Sequence, residues 1–143
     1  MIEYKTGDLF NSEAQTLVNT VNCVGVMGKG IALEFKKRYP DMFKSYKSIC
    51  DKKLLRPGTL QLYKKSDQWI LNFPTKDHWR NKSKMQWLED GLSKFRETYK
   101  EKGISSIAFP KLGCSNGGLK WEEVKPLMEK YLTDLDIKIE IYE

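Results

Sequence analysis

The chain has 143 residues, the usual size of one domain and enough to bury a core without disulfides or metals. Its 40% hydrophobic and 31% charged residues exclude a disordered chain, and no stretch approaches the roughly 18 apolar residues of a membrane span. Lys and Arg number 25 against 19 Asp and Glu, a formal charge of +6, which favours acidic partners such as nucleic acid or nucleotides without selecting a chemistry.

The N-terminal MIEYKTGDLF has no apolar run after a basic start and reads as mature structure, not a signal peptide. Residues 2–5 are a weak strand candidate. Residues 16–21 (TLVNTV) form a predicted strand, and residues 31–38 a helix that ends before Pro40. Further strands are predicted at 59–63, 69–73 and 106–110, each short, rich in β-formers and bounded by turn residues. Between the last two lies the clearest helix, 84–101. Its Met85, Leu88, Leu92, Phe95 and Tyr99 recur at steps of three and four, and Gly103 supplies the stop. A third helix falls within 121–132, where Pro126 requires either a restart or a short turn ahead of it. Residues 137–142 alternate cleanly and predict a strand at a sheet edge. No repeat, linker or low-complexity tract divides the chain, so one layered α/β domain spanning 1–143 is expected.

Cys23, Cys50 and Cys114 form no CxxC pair, and His78 is the single histidine. These are too few clustered ligands for zinc, so no metal and no cofactor is expected, and a reducing, cytoplasmic compartment is the simpler reading. A catalytic Cys–His pair stays formally open.

Two glycine loops carry the functional signal. The first follows TLVNTV and reads NCVGVMGKG from Asn22 to Gly30, running into the helix at Ile31. The second follows SIAFP and reads KLGCSNGG from Lys111 to Gly118. Glycine permits positive φ and close backbone approach, and a helix N-terminus presents free N–H groups to an anion. Each loop alone also fits an ordinary tight turn; two at equivalent places in one small sheet suit a diphosphate. Neither matches the Walker A spacing or the GxGxxG dinucleotide fingerprint.

The order Gly7-Asp8-Leu9, then VNTVNCVGVMGKGIALEFKKRYP, NFPTKDHWR and FPKLGCSNGGLKWEEV, resembles the macrodomain family over essentially the whole chain, and within it the DarG type. That resemblance implies a three-layer α/β/α fold with a mixed, mostly parallel central sheet and a site for ADP-ribose. It places Asp8, with Leu9 beside it, on the adenine amino group and Asn22 by the distal ribose. It sets Gly28, Lys29, Gly30 and Ile31 on one side of the diphosphate, and Gly113, Cys114, Ser115, Asn116, Gly117, Gly118 and Leu119 on the other. It further implies removal of ADP-ribose from thymine bases in DNA, reversing a DarT-like toxin, which would be a partner. Lys76 aligns with a lysine that related ALC-like macrodomains use to release ADP-ribose from protein carboxylates. Those relatives add an aspartate in the second loop where this chain has Gly117.

Lys76 is therefore the expected catalytic residue together with Asn22. As a neutral amine it attacks the anomeric carbon; as an ammonium it stabilises or protonates the leaving base. Positive neighbours lower a lysine pKa, and Arg80 and His78 are the adjacent candidates. Trp79 and Arg80 are candidate contacts to single-stranded DNA, with core packing the plainer reading of Trp79. Trp69, Trp87 and Trp121 are assigned to the core. A non-enzymatic ADP-ribose reader and a hydrolase of ADP-ribose esters remain alternatives. A monomer that makes no membrane contact is expected.

Overall fold

Strand β1 (Ile2–Lys5) pairs with the far end of the chain, β6 (Lys138–Tyr142), and the Met1 ammonium donates to the Leu135 and Ile137 carbonyls beside it. The computed structural model describes residues 1–143. Between those strands come β2 (Thr16–Val21), α1 (Gly30–Arg38), α2 (Pro40–Asp51), β3 (Gln61–Tyr63), β4 (Trp69–Pro74), α3 (Met85–Lys102), β5 (Ser106–Phe109) and α4 (Trp121–Leu132). One sheet runs in the order β1-β6-β5-β2-β4-β3, parallel throughout except where β3 meets β4. The fold is the α/β/α sandwich with a mixed, mostly parallel sheet that the resemblance implies.

Strand alternation sorts the core into two layers. Val18, Leu71, Phe73, Ile107, Phe109, Ile139 and Ile141 face α3 and α4, meeting Leu88, Leu92, Phe95, Val124 and Met128. Leu17, Val21, Ile70 and Ala108 face the other way, onto Phe35 of α1 and Met42 and Tyr46 of α2. Each such fully buried large side chain contributes roughly 1.5–3 kcal/mol. Gly91 lets α3 lie directly on β4, since a Cβ there would collide with the edge of the Phe73 ring. On the second face a buried amide ladder crosses three strands. Asn19 donates to Asn72 at 3.1 Å, Asn72 to Gln61 at 2.9 Å, and Gln61 to Ser45 of α2 at 3.1 Å.

Several expectations change. The edge belongs to β1, and β6 lies inside the sheet with Ile139 and Ile141 fully buried. Helix α1 does end before Pro40, but helix α2 is unexpected: Pro40 also opens a new helix one residue after α1, in the first-turn position where its missing N–H is harmless. Residues 59 and 60 stay outside β3, because Thr59 closes a turn on Arg56. Helix α4 meets the second of its two alternatives and runs through Pro126 with little more than one turn ahead of it. Trp69 and Trp121 pack against the core, but Trp87 sits half-buried under the Lys84 ammonium instead.

Candidate active site

In a parallel sheet, ligands bind at the carboxyl ends of the strands. Here the turns leaving β1, β2, β4 and β5 and the tail of β6 all open onto one cleft of about 870 Å³.

Loop 1, between β2 and α1, is shaped from within by Asn22. That side chain is only 8% exposed. Its Oδ1 accepts from the Val24 amide at 3.1 Å and the Val26 amide at 3.4 Å, while its Nδ2 donates to the Val26 carbonyl at 2.8 Å. The Tyr46 hydroxyl, arriving from α2, lies 2.8 Å from both the Asn22 carbonyl and Oδ1. Beneath, the fully buried Met27 anchors the loop. Gly25 and Gly30 turn the chain at φ +84° and +64°, so the first amides of α1 reach the cleft with no side chain capping them.

Loop 2, between β5 and α4, folds on itself through Leu119 N–H donating to Gly113 O at 2.9 Å. It meets loop 1 closely: a Cβ on Gly30 would stand 3.1 Å from Asn116 Nδ2. At Gly117 any Cβ would collide with Gly113 O and Ser83 Oγ. The aspartate of the ALC-like relatives has no room here.

The third wall is the segment between β4 and α3. Thr75 N–H donates to Val21 O at 2.9 Å, Cys23 N–H to Asp77 O at 3.2 Å, and Cys23 Sγ to the Lys76 carbonyl at 3.4 Å. These clips fix the Lys76 backbone against loop 1. Its Nζ donates to Trp79 O at 3.3 Å. Burial first, then the nearby Lys29 ammonium of loop 1, hold the Lys76 pKa below the ordinary lysine value. Arg80 and His78 are not the cause. The Arg80 guanidinium lies over the Trp79 ring at 4.8 Å, and His78 Nδ1 accepts the Arg80 amide at 3.1 Å. No Cys–His pair forms: the Cys23 and Cys114 thiols bond the Lys76 and Leu112 carbonyls at 3.4 Å, His78 Nδ1 takes the Arg80 amide, and burial holds both thiols above the ordinary cysteine value.

The Macro domain family model matches residues 18–128 of this chain. The chain is a macrodomain. It is 45% identical to the DNA ADP-ribosyl glycohydrolase of Mycobacterium tuberculosis, over 99% of this chain and 42% of that protein. It superposes on the macrodomain of Mycobacterium tuberculosis DarG with a TM-score of 0.95 at 44% identity, covering 99% of this chain and 97% of that one. It superposes equally well, TM-score 0.95 at 44% identity, on Thermosipho africanus DarTG in complex with ADP-ribose, covering 99% of this chain and 41% of that one. This macrodomain thus spans about two-fifths of the length of the curated relatives it matches.

Most residues singled out in the macrodomain's sequence line the cleft: Asp8, Leu9, Asn22, Gly28, Lys29, Gly30, Ile31, Lys76, Trp79, Gly113, Cys114, Ser115, Asn116 and Gly117. Three do not. Gly118 faces the Lys82 side chain, Leu119 packs against the core, and the Arg80 guanidinium lies over the Trp79 ring, off the cleft lining. Phe10, Thr20, Val26, Thr75, Lys111 and Tyr142 line it unforeseen. Phe10 carries the Arg38 guanidinium on its ring at 4.2 Å, and Tyr142 arrives from the end of β6. Val26, Thr75 and Lys111 lie within the motifs already quoted and Phe10 directly follows one, whereas Tyr142 has no local signal and reaches the cleft through the sheet order.

Proposed function

We propose that this macrodomain binds ADP-ribose along the cleft and hydrolyses the glycosidic bond joining it to a thymine base in DNA. It would act as a cytoplasmic counterpart to a DarT-like toxin. The observation that carries the reading is Lys76, a partly buried amine of lowered pKa clipped between the glycine loops. The names of the relatives, DNA ADP-ribosyl glycohydrolases, support the substrate.

The ligand runs from β1 to β4. Asp8 spends one carboxylate oxygen on the Phe10 amide at 2.9 Å, leaving the other for the adenine amino group. The amides of loop 1 and of the α1 N-terminus take one phosphate, and loop 2 takes the second. Asn22, nearly saturated inside loop 1, acts by holding that loop's shape under the distal ribose.

In DNA, thymine N1 already bears deoxyribose, so the base offers its imide nitrogen N3 to ADP-ribose. The bond from the ribose anomeric carbon to N3 breaks, and the electron pair goes to N3. The Lys76 ammonium, acidified by burial and by Lys29, supplies the proton. Water adds to the anomeric carbon and returns a proton to Lys76. An acid role suits this site better than a covalent lysine intermediate. The carboxylates that line the cleft are Asp8 and Glu143, which follow β1 and β6. Three strand spacings separate β6 from β4, roughly 14 Å, too far to resolve an adduct on Lys76.

The test is release of ADP-ribose from a modified oligonucleotide. Wild type should turn over, and Lys76→Ala should bind ADP-ribose yet turn over at least about a hundredfold more slowly. Wild-type turnover by that variant would remove Lys76 from the mechanism. Binding without turnover by wild type would make the macrodomain a reader.

A further inference from the structure

The turn from β4 to α3 carries more chemistry than the cleft uses. Residues 76–84, KDHWRNKSK, hold four cations, Lys76, Arg80, Lys82 and Lys84, against one carboxylate, Asp77. Trp79 belongs to neither core cluster and is 45% exposed, an unusual placement for so large an apolar side chain. The Arg80 guanidinium lies over its ring at 4.8 Å, and the His78 ring lies beside it at 5.1 Å.

The platform is preorganised. Asp77 Oδ1 accepts from the His78 amide at 2.7 Å and from Asn81 Nδ2 at 2.9 Å, and Asn81 N–H donates to His78 O at 3.0 Å. At its far end Ser83 N–H donates to Gly117 O at 2.9 Å, and the Lys82 methylenes run along loop 2, 3.6 to 4.0 Å from where a Gly118 Cβ would stand. One rigid turn thus leads from the Lys76 amine outward over loop 2. It presents an aromatic ring with a guanidinium, then a second amine.

We infer that this turn is a track for single-stranded DNA: Trp79 stacks on the base next to the modified one, and Arg80 and Lys82 hold the flanking phosphates. The inference rests on the proposed function for its choice of DNA. Two physical points favour a single strand. An aromatic platform needs an unstacked base face. ADP-ribose on thymine N3 also occupies the base's pairing edge, so the modified nucleotide and its surroundings are already unpaired.

Binding of an unmodified, fluorescently labelled decathymidylate, followed by anisotropy, tests the track. Trp79→Leu, which keeps apolar bulk and loses the ring, should weaken binding about tenfold, and Trp79→Phe should retain most of it. The double variant Arg80→Ala/Lys82→Ala should flatten the slope of log K against log salt by about 1.4, two cations at about 0.7 each. Its affinity for ADP-ribose, measured by calorimetry, should stay within about twofold, because neither side chain lines the cleft. Unchanged oligonucleotide binding in the Leu and double variants would overturn the track. So would duplex bound as tightly as single strand, or a parallel loss of ADP-ribose affinity in the double variant. Assaying a modified oligonucleotide alongside separates the two readings. If wild type shows no hydrolysis while the anisotropy results stand, the proposed reaction fails and the track holds. Hydrolysis with variant-insensitive oligonucleotide binding sinks the track alone.

Discussion

Replacing Gly117 by aspartate would reinstate the carboxylate that the ALC-like relatives use, but the backbone around it resists any side chain. A Cβ there would stand 2.8 Å from the Gly113 carbonyl carbon, besides colliding with Gly113 O and Ser83 Oγ. Unstrained carbon pairs sit at about 3.5–4.0 Å, so relief needs a shift of roughly 1 Å. Neither obstacle moves freely. Gly113 holds φ +70° with its carbonyl bonded to Leu119 N–H, and Ser83 is tied by its own amide to Gly117 O. Overpacking of this kind costs about 1–3 kcal/mol. At about 3 °C per kcal/mol for a chain of this length, the melting temperature should fall by roughly 3–9 °C. Loop 2 forms one wall of the cleft, and losing a single charge-assisted bond to a phosphate, about 1.5–3 kcal/mol, weakens ADP-ribose at least about tenfold. Calorimetry on Gly117→Ala and Gly117→Asp should show both losses, since both variants carry the same Cβ. Adding Ser83→Gly removes one obstacle and should recover part of the stability. A Gly117→Ala protein with wild-type melting and affinity would show that loop 2 yields easily, and the steric account of the missing aspartate would be wrong.

The pH dependence of kcat tests the acid role of Lys76. In that role the protonated form would be the active one, so the rate should fall as pH rises through the Lys76 pKa, earlier than for a solvated lysine because burial and Lys29 both disfavour the charge. At saturating substrate, Lys29→Gln should move that alkaline limb to higher pH; a rate that instead climbs with pH and levels off would identify a neutral-amine nucleophile. Asn22→Ala strands the Val26 carbonyl and two loop amides, and should cost about 1–3 kcal/mol of stability along with ADP-ribose affinity. Tyr46→Phe removes only the hydroxyl at Asn22 and should cost about 1 kcal/mol. If Tyr46→Phe melts and binds like wild type, α2 does not hold loop 1.

Elements whose signal lies in adjacent residues are legible in the sequence. The stripe of residues 84–101 predicts α3 to within one residue at each end, and Gly103 closes it at φ +80°. Both glycine loops lie at strand ends because their signal is contained in a few adjacent residues. Helix α2 carries an equally local stripe, Met42, Tyr46 and Cys50, but Pro40 read as a stop concealed it. That miss propagated: without α2 there is no Tyr46 under loop 1, and Asn22 looks like a ligand contact when most of its bonds are internal. Lys29 as the charge near Lys76 was out of reach for a different reason. Forty-seven positions separate the two, and only the β2–β4 pairing, Val21 opposite Pro74, brings them together. Tyr142 enters the cleft by the same kind of non-local route, through the central place of β6.

The placement of Lys76 depends on backbone far more than on side chains. Thr75 to Val21, Cys23 to Asp77 and Ser83 to Gly117 are all main-chain bonds, and together they tie the segment bearing Lys76 to both glycine loops. Side-chain changes within that segment therefore alter what is presented to the ligand while leaving the frame standing. The same frame limits the chemistry. Its cleft carboxylates sit at the β1 and β6 side, the adenine end in the proposed ligand path, and Gly117 leaves no room for one in loop 2. A bond cleaved at the β4 end must then rely on the leaving group's own stability as an imide anion, assisted by one acidified ammonium.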